Sequence, residues 1–152
     1  PCLGFDEAAV HDLALGGLLH DIGKTAIPVA ILAKPGALTP VELAVMRTHP
    51  RRSFDLLRRV EGMPQTVLDI GLYHHERYDG RGYPERLTGE TIPLSARMAA
   101  ICDVYEAMTT ARPYKRASSR QQTMEMMRAA RGHFDERLLG TFLSQLVEAD
   151  RI

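Results

Sequence analysis

Imidazole and carboxylate side chains occur at four places along this sequence in combinations that suit a metal ion. Four of the six histidines belong to these combinations. Asp21 and Asp103 lie within helical, otherwise apolar stretches, where a buried carboxylate without a partner would be costly. Imidazole and carboxylate groups are common protein ligands of Zn, Fe, Mn and similar divalent ions. The candidate metal ligands are His20, Asp21, His49, His74, His75 and Asp103.

The two adjacent pairs limit the kind of site that can form. Neighbouring residues on an α-helix are about 100° apart around its axis. We therefore expect that His20 and Asp21 cannot form one tight chelate on a single helix face. They can flank two metals instead, with the carboxylate bridging and the imidazole on one ion, and the same argument applies to His74 and His75. This pattern favours a two-metal site over one closed tetrahedral site.

Three cations follow these residues closely. Lys24 lies within one turn of the His-Asp pair, and Arg112 and Lys115 follow Asp103. Beside a metal site they would form a pocket for a phosphodiester. In the alternative interpretation, Gly23 stops the first helix, Lys24 interacts with the helix dipole, and the other two are solvated.

Each feature taken alone has a simpler explanation. A His-Asp dipeptide is usually a surface or capping pair, His49 before Pro50 suits a helix terminus, and Asp103 suits a helix surface. His11 and His133 are interpreted as structural or solvent-exposed. The conjunction of the candidate ligands is what favours metal binding.

Helices must position these residues, because helical periodicity accounts for most of the chain. The first predicted helix runs from residue 6 to about residue 22. Thr39, Pro40 and Glu42 predict a capped helix start. Pro50 is expected to break or bend that helix, which then continues over residues 53–60.

Further helices are predicted from Pro64, over residues 94–108, from Ser118 or Ser119, and from Asp135. Residues 79–93 are rich in Gly and Pro and predict an extended loop. No convincing alternating strand pattern is present. The predicted fold class is all-α, a helical bundle with one long Gly/Pro-rich functional loop.

Composition narrows the class of protein. A length of 152 residues suits one domain with a real core. Lys+Arg and Asp+Glu number 19 each, so the zero net charge gives no support for polynucleotide binding. Cys2 and Cys102 form no CxxC, which argues against a thiolate zinc site. No membrane-spanning run or signal peptide is visible, and we expect a cytoplasmic protein.

Together, the motifs resemble those of the HD superfamily of metal-dependent phosphohydrolases, over about residues 13–146. The 74–84 string resembles the signature of the HD-GYP subgroup and is highly specific, whereas the HD dipeptide alone is not. The matching strings are HDIGK at 20–24, LAKPGALT at 32–39, HP at 49–50, HHERYDGRGYP at 74–84, DVYEAMT at 103–109 and RPY at 112–114.

This resemblance implies a cytoplasmic bacterial phosphodiesterase that hydrolyses cyclic di-GMP to linear pGpG, and in some members to GMP. It implies two divalent ions, of Fe, Mn or another transition metal, held by the six candidate ligands with Asp21 bridging. Lys24, Arg112 and Lys115 match positions near the substrate phosphates or guanine. Tyr83 lies in the motif that names the subgroup, which is linked to the shape of the substrate site.

The resemblance also bears on partners and boundaries. It implies GGDEF or PilZ-type protein partners through the GYP loop, and an upstream sensory or receiver domain. The family has an earlier helix with another metal-ligand His and, in some members, a Glu that allows a third metal. His11 and Glu7 lie too close to His20 to fill these roles. We therefore expect residues 1–152 to form the domain without that first helix.

Two other functions are compatible with the motifs. Other HD-superfamily enzymes hydrolyse nucleotides or phosphomonoesters, although the 74–84 string argues against them. A catalytically impaired domain could instead bind a cyclic dinucleotide as a sensor, or bind a protein as an adaptor. In the enzymatic interpretation, Asp21 and Lys24 are the catalytic residues, because Lys24 would stabilise charge on the phosphoryl group.

Overall fold

Helices form nearly all of the regular structure in the computed structural model of the chain, which describes residues 4–111 and 116–149. Within these ranges there is no strand, only an isolated antiparallel bridge between Asp79 and Thr88. The predicted all-α fold class is confirmed. The α-helices are α1 (Glu7–Leu19), α2 (Val29–Leu32), α3 (Pro40–Met46), α4 (His49–Leu57), α5 (Gln65–Tyr73), α6 (Leu94–Thr109), α7 (Arg120–Ala129) and α8 (Glu136–Ala149), and two 3-10 helices span Ile22–Ala26 and Gly89–Thr91.

Side-chain caps fix several of the helix starts that the sequence predicts. Thr39 and Glu42 form a capping box at α3, in which the Glu42 amide donates to Thr39 Oγ1 and the Thr39 amide donates to Glu42 Oε2. Ser119 caps α7. Asp135 Oδ1 accepts the amides of residues 137 and 138 at the start of α8. Each cap satisfies amides that the first helical turn leaves unpaired.

Two predicted helix boundaries are wrong. The first helix ends at Leu19 instead of residue 22. Pro50 does not interrupt a helix that began at Pro40, since α3 ends at Met46 and a new helix begins at His49. In the first turn of α4 the missing amide of Pro50 is no loss, because that amide would have no intrahelical partner.

Gly23 is not the helix stop that the sequence suggests. It lies inside the 3-10 helix and packs against α4: a Cβ atom at Gly23 would lie 2.2 Å from the His49 carbonyl oxygen and 2.4 Å from the Ser53 amide. The Gly23 amide donates to Ser53 Oγ over 2.9 Å, and Ser53 Oγ donates to the His20 carbonyl over 2.7 Å. This contact joins the end of α1 to α4.

Helix α5 lies at the centre of the N-terminal part, against α1, α4 and α6. Its Val67 and Ile70 are almost completely buried. Beyond α6, a second apolar cluster joins α6, α7 and α8. The buried members of the second cluster are Ile101, Met124, Met127, Phe134, Leu139 and Leu143.

No helix in the described ranges is both long and apolar enough to cross a membrane.

The segment between α5 and α6 is held to the C-terminal helices. The Tyr78 amide donates to the His133 carbonyl over 3.0 Å, and the Asp79 amide donates to the Gly132 carbonyl over 2.8 Å. These two bonds attach the segment to the turn between α7 and α8.

The Gly23 contact predicts a clear loss of stability on a small substitution. We expect Gly23→Ala to lower the free energy of unfolding by about 1–3 kcal/mol, because the added methyl group meets backbone atoms that cannot rotate away. Urea denaturation measures the change through the midpoint at constant slope.

Gly140→Ala is the matched control. A Cβ atom at Gly140 meets nothing within 4 Å, and the residue lies inside α8. This substitution should raise stability by about 0.5–1 kcal/mol through backbone entropy and helix propensity. A rise in stability for Gly23→Ala as well would contradict the packing described here.

Candidate metal centre

Helix ends bring most of the candidate ligands together. His20 directly follows α1, Asp21 lies in the turn after it, and His49 begins α4. His74 caps the end of α5, and His75 follows it. Asp103 is the exception, because it lies within α6, the neighbouring helix of α5.

The carboxylate of Asp21 faces three imidazoles. Its Oδ2 lies 3.2 Å from His20 Nε2, and its Oδ1 lies 3.2 Å from His49 Nε2 and 3.8 Å from His74 Nε2. The expected 100° separation of His20 and Asp21 is wrong, because Asp21 has left the helix with φ −98° and ψ 7°. Both side chains therefore reach the same point.

Backbone hydrogen bonds orient three of these imidazoles. His20 Nδ1 lies 2.6 Å from the Gly17 carbonyl oxygen, His49 Nδ1 lies 2.8 Å from that of Met46, and His74 Nδ1 lies 2.9 Å from that of Ile70. A carbonyl can only accept, so each Nδ1 carries the proton. In the neutral ring, Nε2 then carries the lone pair, as in histidines that bind metals.

Three acceptor atoms face one another at the centre of the cluster. Within the described part of the chain, Asp21 Oδ1 is buried without a hydrogen bond, even though His49 Nε2 is close. His49 Nε2 also lies 3.4 Å from His74 Nε2. With Nδ1 as the donor in both rings, these three atoms are acceptors that face one another. A cation satisfies all three, so the residues fit a bound metal ion.

The pKa values of His74, His75 and Asp21 agree with metal ligation. Burial and the charge of His20 lower the pKa of His74 to about 3, and burial and the charge of His74 lower the pKa of His75 to about 2. Burial opposes ionisation of Asp21, but the neighbouring side chains of His20, His49 and Lys24 outweigh it and hold its pKa below the usual range. Neutral imidazoles and an ionised carboxylate are the forms that bind metals.

Two overlapping sets of ligand atoms are present. One atom from each of His49, His74 and His75 lies within 4.8 Å of the others, and the same holds for His20, Asp21 and His74. The sets share His74. Asp103 Oδ1 lies 3.8 Å from His20 Nε2, at the far end of the second set.

The remaining predicted site residues and the two other histidines divide into three groups. Lys24 Nζ lies 2.5 Å from Asp21 Oδ2, and the Tyr83 ring stacks on His75 with 4.8 Å between centroids. His11 is 75% exposed, and His133 stacks on its neighbour Phe134, so neither belongs to the cluster. Arg112 and Lys115 lie outside the described residues.

Sequence reasoning missed two residues that support the cluster. Ser53 is completely buried and holds the backbone of His20 and Gly23. Glu76 is 3% exposed and accepts backbone amides of the following loop. A signal for Glu76 was present, because an acid directly after two histidines opens the Gly/Pro-rich segment. A serine inside a helix gives no such signal.

Curated relatives share the sequence over most of this chain. The cyclic di-GMP phosphodiesterase PA4108 of Pseudomonas aeruginosa is 43% identical over 93% of this chain and 34% of its own length. The cyclic di-GMP phosphodiesterase response regulator RpfG of Xanthomonas campestris pv. campestris is 42% identical over 99% of this chain and 40% of its own length. The 3'3'-cGAMP-specific phosphodiesterase 2 of Vibrio cholerae is 42% identical over 92% of this chain and 27% of its own length. The chain thus spans two fifths or less of these relatives.

A solved structure has the same fold. The crystal structure of a cyclic GMP-AMP specific phosphodiesterase of V. cholerae superposes with a TM-score of 0.73, covering 98% of this chain and 41% of that chain at 23% identity. The profile of the HD domain family matches residues 2–138. The resemblance inferred from the motifs is thereby confirmed, and the chain belongs to the HD domain family.

Proposed function

We propose that this chain is the hydrolase domain of a cyclic di-GMP phosphodiesterase that yields linear pGpG, with GMP as a further product. The observation that carries the proposal is the Asp21 carboxylate facing three Nε2 atoms with Lys24 beside it. Relatives that are 42–43% identical and named as cyclic di-GMP phosphodiesterases support the substrate. The domain would span residues 1–152.

The site would hold two divalent ions of Fe, Mn or another transition metal. When bound, such ions lower the pKa of a coordinated water toward about 7 and offset charge on the phosphoryl group. The two overlapping ligand sets support this number, with His74 between them. A third ion would need ligands from the family's earlier helix. The ligands proposed for the pair are His20, Asp21, His49, His74, His75 and Asp103.

The side chains of the chain supply the remaining chemistry. Lys24 Nζ lies next to the Asp21 carboxylate and its side chain is 39% exposed, so a phosphate oxygen can reach it. Fixed cations of this kind stabilise charge that grows during phosphoryl transfer. Arg112 and Lys115 would bind the other phosphate or a guanine edge, and Tyr83 would contact the substrate beside His75.

Other substrates and functions give different results in one assay. A relative specific for 3'3'-cGAMP is 42% identical, so that dinucleotide is the second candidate substrate. Hydrolysis of a panel containing cyclic di-GMP, 3'3'-cGAMP, pGpG and phosphomonoesters separates these enzymes. Binding without turnover would favour the sensor or adaptor function. GGDEF or PilZ-type partners, an upstream sensory or receiver domain and a cytoplasmic location stay predictions.

Removal of the Asp21 carboxylate should abolish metal-dependent hydrolysis. We expect Asp21→Ala to keep the helical fold, because the side chain is partly exposed and its neighbours hold the backbone. The bound metal should decrease, since no other carboxylate faces the same three imidazoles in the described structure. Elemental analysis, circular dichroism and turnover are measured on the same samples.

Asp55→Ala is the control for this experiment, because Asp55 is a surface carboxylate paired with Arg58. It should retain the wild-type metal content and turnover. Unchanged turnover of Asp21→Ala at saturating metal would show that Asp21 is a structural residue.

Lys24 and Arg112 should have separable kinetic effects. A charged hydrogen bond to phosphate contributes on the order of 1.5–3 kcal/mol, or roughly tenfold to a hundredfold in kcat/KM. We expect Lys24→Ala to lower kcat, because the charge it meets grows in the transition state. We expect Arg112→Ala to raise KM, because a guanidinium fork binds the ground state and the transition state alike.

Lys34→Ala provides the matched loss of a lysine, since Lys34 pairs with Glu42 near the start of α3. Its kinetics with cyclic di-GMP should equal those of the wild type. Wild-type kinetics in both the Lys24 and Arg112 variants, with normal metal content, would refute the proposed substrate pocket.

A further inference from the structure

His75 is oriented differently from the other imidazoles of the cluster. His20, His49 and His74 each donate Nδ1–H to a backbone carbonyl three or four residues earlier. No such bond to the His75 ring occurs among the described residues. The Tyr83 ring lies against it instead, with 4.8 Å between centroids and 26° between the planes. Stacking therefore takes the place that a hydrogen bond holds in the other three.

The backbone beside Tyr83 is fixed to the backbone around His75. The Tyr83 amide donates to the His75 carbonyl over 3.2 Å. Gly82 is buried, and a Cβ atom there would lie 2.3 Å from the Arg77 amide and 2.5 Å from Glu76 Cα. Only glycine permits this approach, which brings the tyrosine ring over the imidazole.

The carboxylate of Glu76 holds the backbone that follows Tyr83. Its Oε1 accepts the Glu85 amide over 2.7 Å, and its Oε2 accepts the Leu87 amide over 3.1 Å. The side chain is almost completely buried. Glu76 directly follows His75. These bonds therefore hold the chain after Tyr83 close to this candidate metal ligand.

Arg47 adds a contact from the opposite end of the cluster. Its guanidinium carbon lies 5.3 Å from the centroid of the Tyr83 ring, a distance that gives a cation–π attraction. Arg47 directly follows α3 and lies two residues before His49. The tyrosine ring is thus contacted by His75 itself and by Arg47, which lies two residues before His49.

We propose that Tyr83 and Glu76 are positioning residues for His75: the tyrosine ring orients the imidazole by stacking, and the buried carboxylate fixes the turn that carries the ring. This inference rests on the proposed metal site and assigns to these residues a role in metal affinity. Groups that orient a metal-bound histidine typically change metal affinity by about tenfold to a hundredfold when removed.

A pair of substitutions at Tyr83 tests the stacking. Tyr83→Phe keeps the ring and should keep the affinity for Mn²⁺, measured by titration calorimetry of the metal-free protein. Tyr83→Ala removes the ring. It should weaken the affinity for Mn²⁺ by roughly tenfold to a hundredfold at the weaker of the two binding events in the titration. NMR of histidine-labelled protein should show the His75 ring signals shifted in Tyr83→Ala and close to wild type in Tyr83→Phe. Equal Mn²⁺ affinity in all three proteins would overturn the proposal.

A second pair of substitutions tests the carboxylate. In Glu76→Gln one acceptor oxygen becomes an amide donor that faces a backbone amide. Hydrogen exchange at Glu85 and Leu87 should become faster in the metal-free protein, and Mn²⁺ affinity should decrease as in Tyr83→Ala. Glu90→Gln is the control, because Glu90 is an exposed acid of the same segment, and it should change neither quantity. Faster exchange with unchanged Mn²⁺ affinity would show that Glu76 has only a structural role.

These measurements separate this inference from the proposed function. A wild-type protein that binds Mn²⁺ but leaves cyclic di-GMP intact would contradict the function, and the titrations would still decide the role of Tyr83. A direct role in substrate binding alone would give a higher KM in Tyr83→Ala with unchanged Mn²⁺ affinity. That result would also overturn the positioning role.

Discussion

The side chain of Asp21 lies among imidazole nitrogens that carry lone pairs, and this concentration of acceptors is stable only with positive charge among them. A proton can supply that charge, and the Asp21 carboxylate raises the pKa of His20, first through a hydrogen bond. A divalent ion supplies more charge and satisfies more acceptors at once. The rest of the site keeps these acceptors together.

Backbone contacts hold the acceptors in place. Ser53 bonds to the backbone on both sides of Asp21, and Gly23 allows the 3-10 helix to touch α4. His49 begins that same helix, so one contact sets the distance between the His-Asp pair and its partner from α4. On the other side, His74 ends α5, which packs against α1 and α4. The ligands are therefore fixed by helix ends and by the packing of helices.

Most of the helices could be predicted from periodicity and caps, because both signals are local, but the short α2 was not predicted. The candidate ligands could be predicted as a set, since imidazoles and buried carboxylates have few other uses in combination. The geometry could not be predicted. Asp21 leaves the helix, and Gly23 is needed for an approach to residues 30 positions away, which no local pattern records. Likewise, His49 starts a helix instead of ending one, because the chain turns at residues 47–48. The orientation of His75 depends on a ring eight residues later.

The two hydrogen bonds from Tyr78 and Asp79 to the turn between α7 and α8 have a mechanical consequence. The segment that begins at His75 is attached at its start to α5. At Tyr78 and Asp79 it is attached to the turn between α7 and α8. His75, Glu76 and Arg77 lie between these two points of attachment. The placement of the His75 backbone therefore depends on the turn between α7 and α8 as well as on α5.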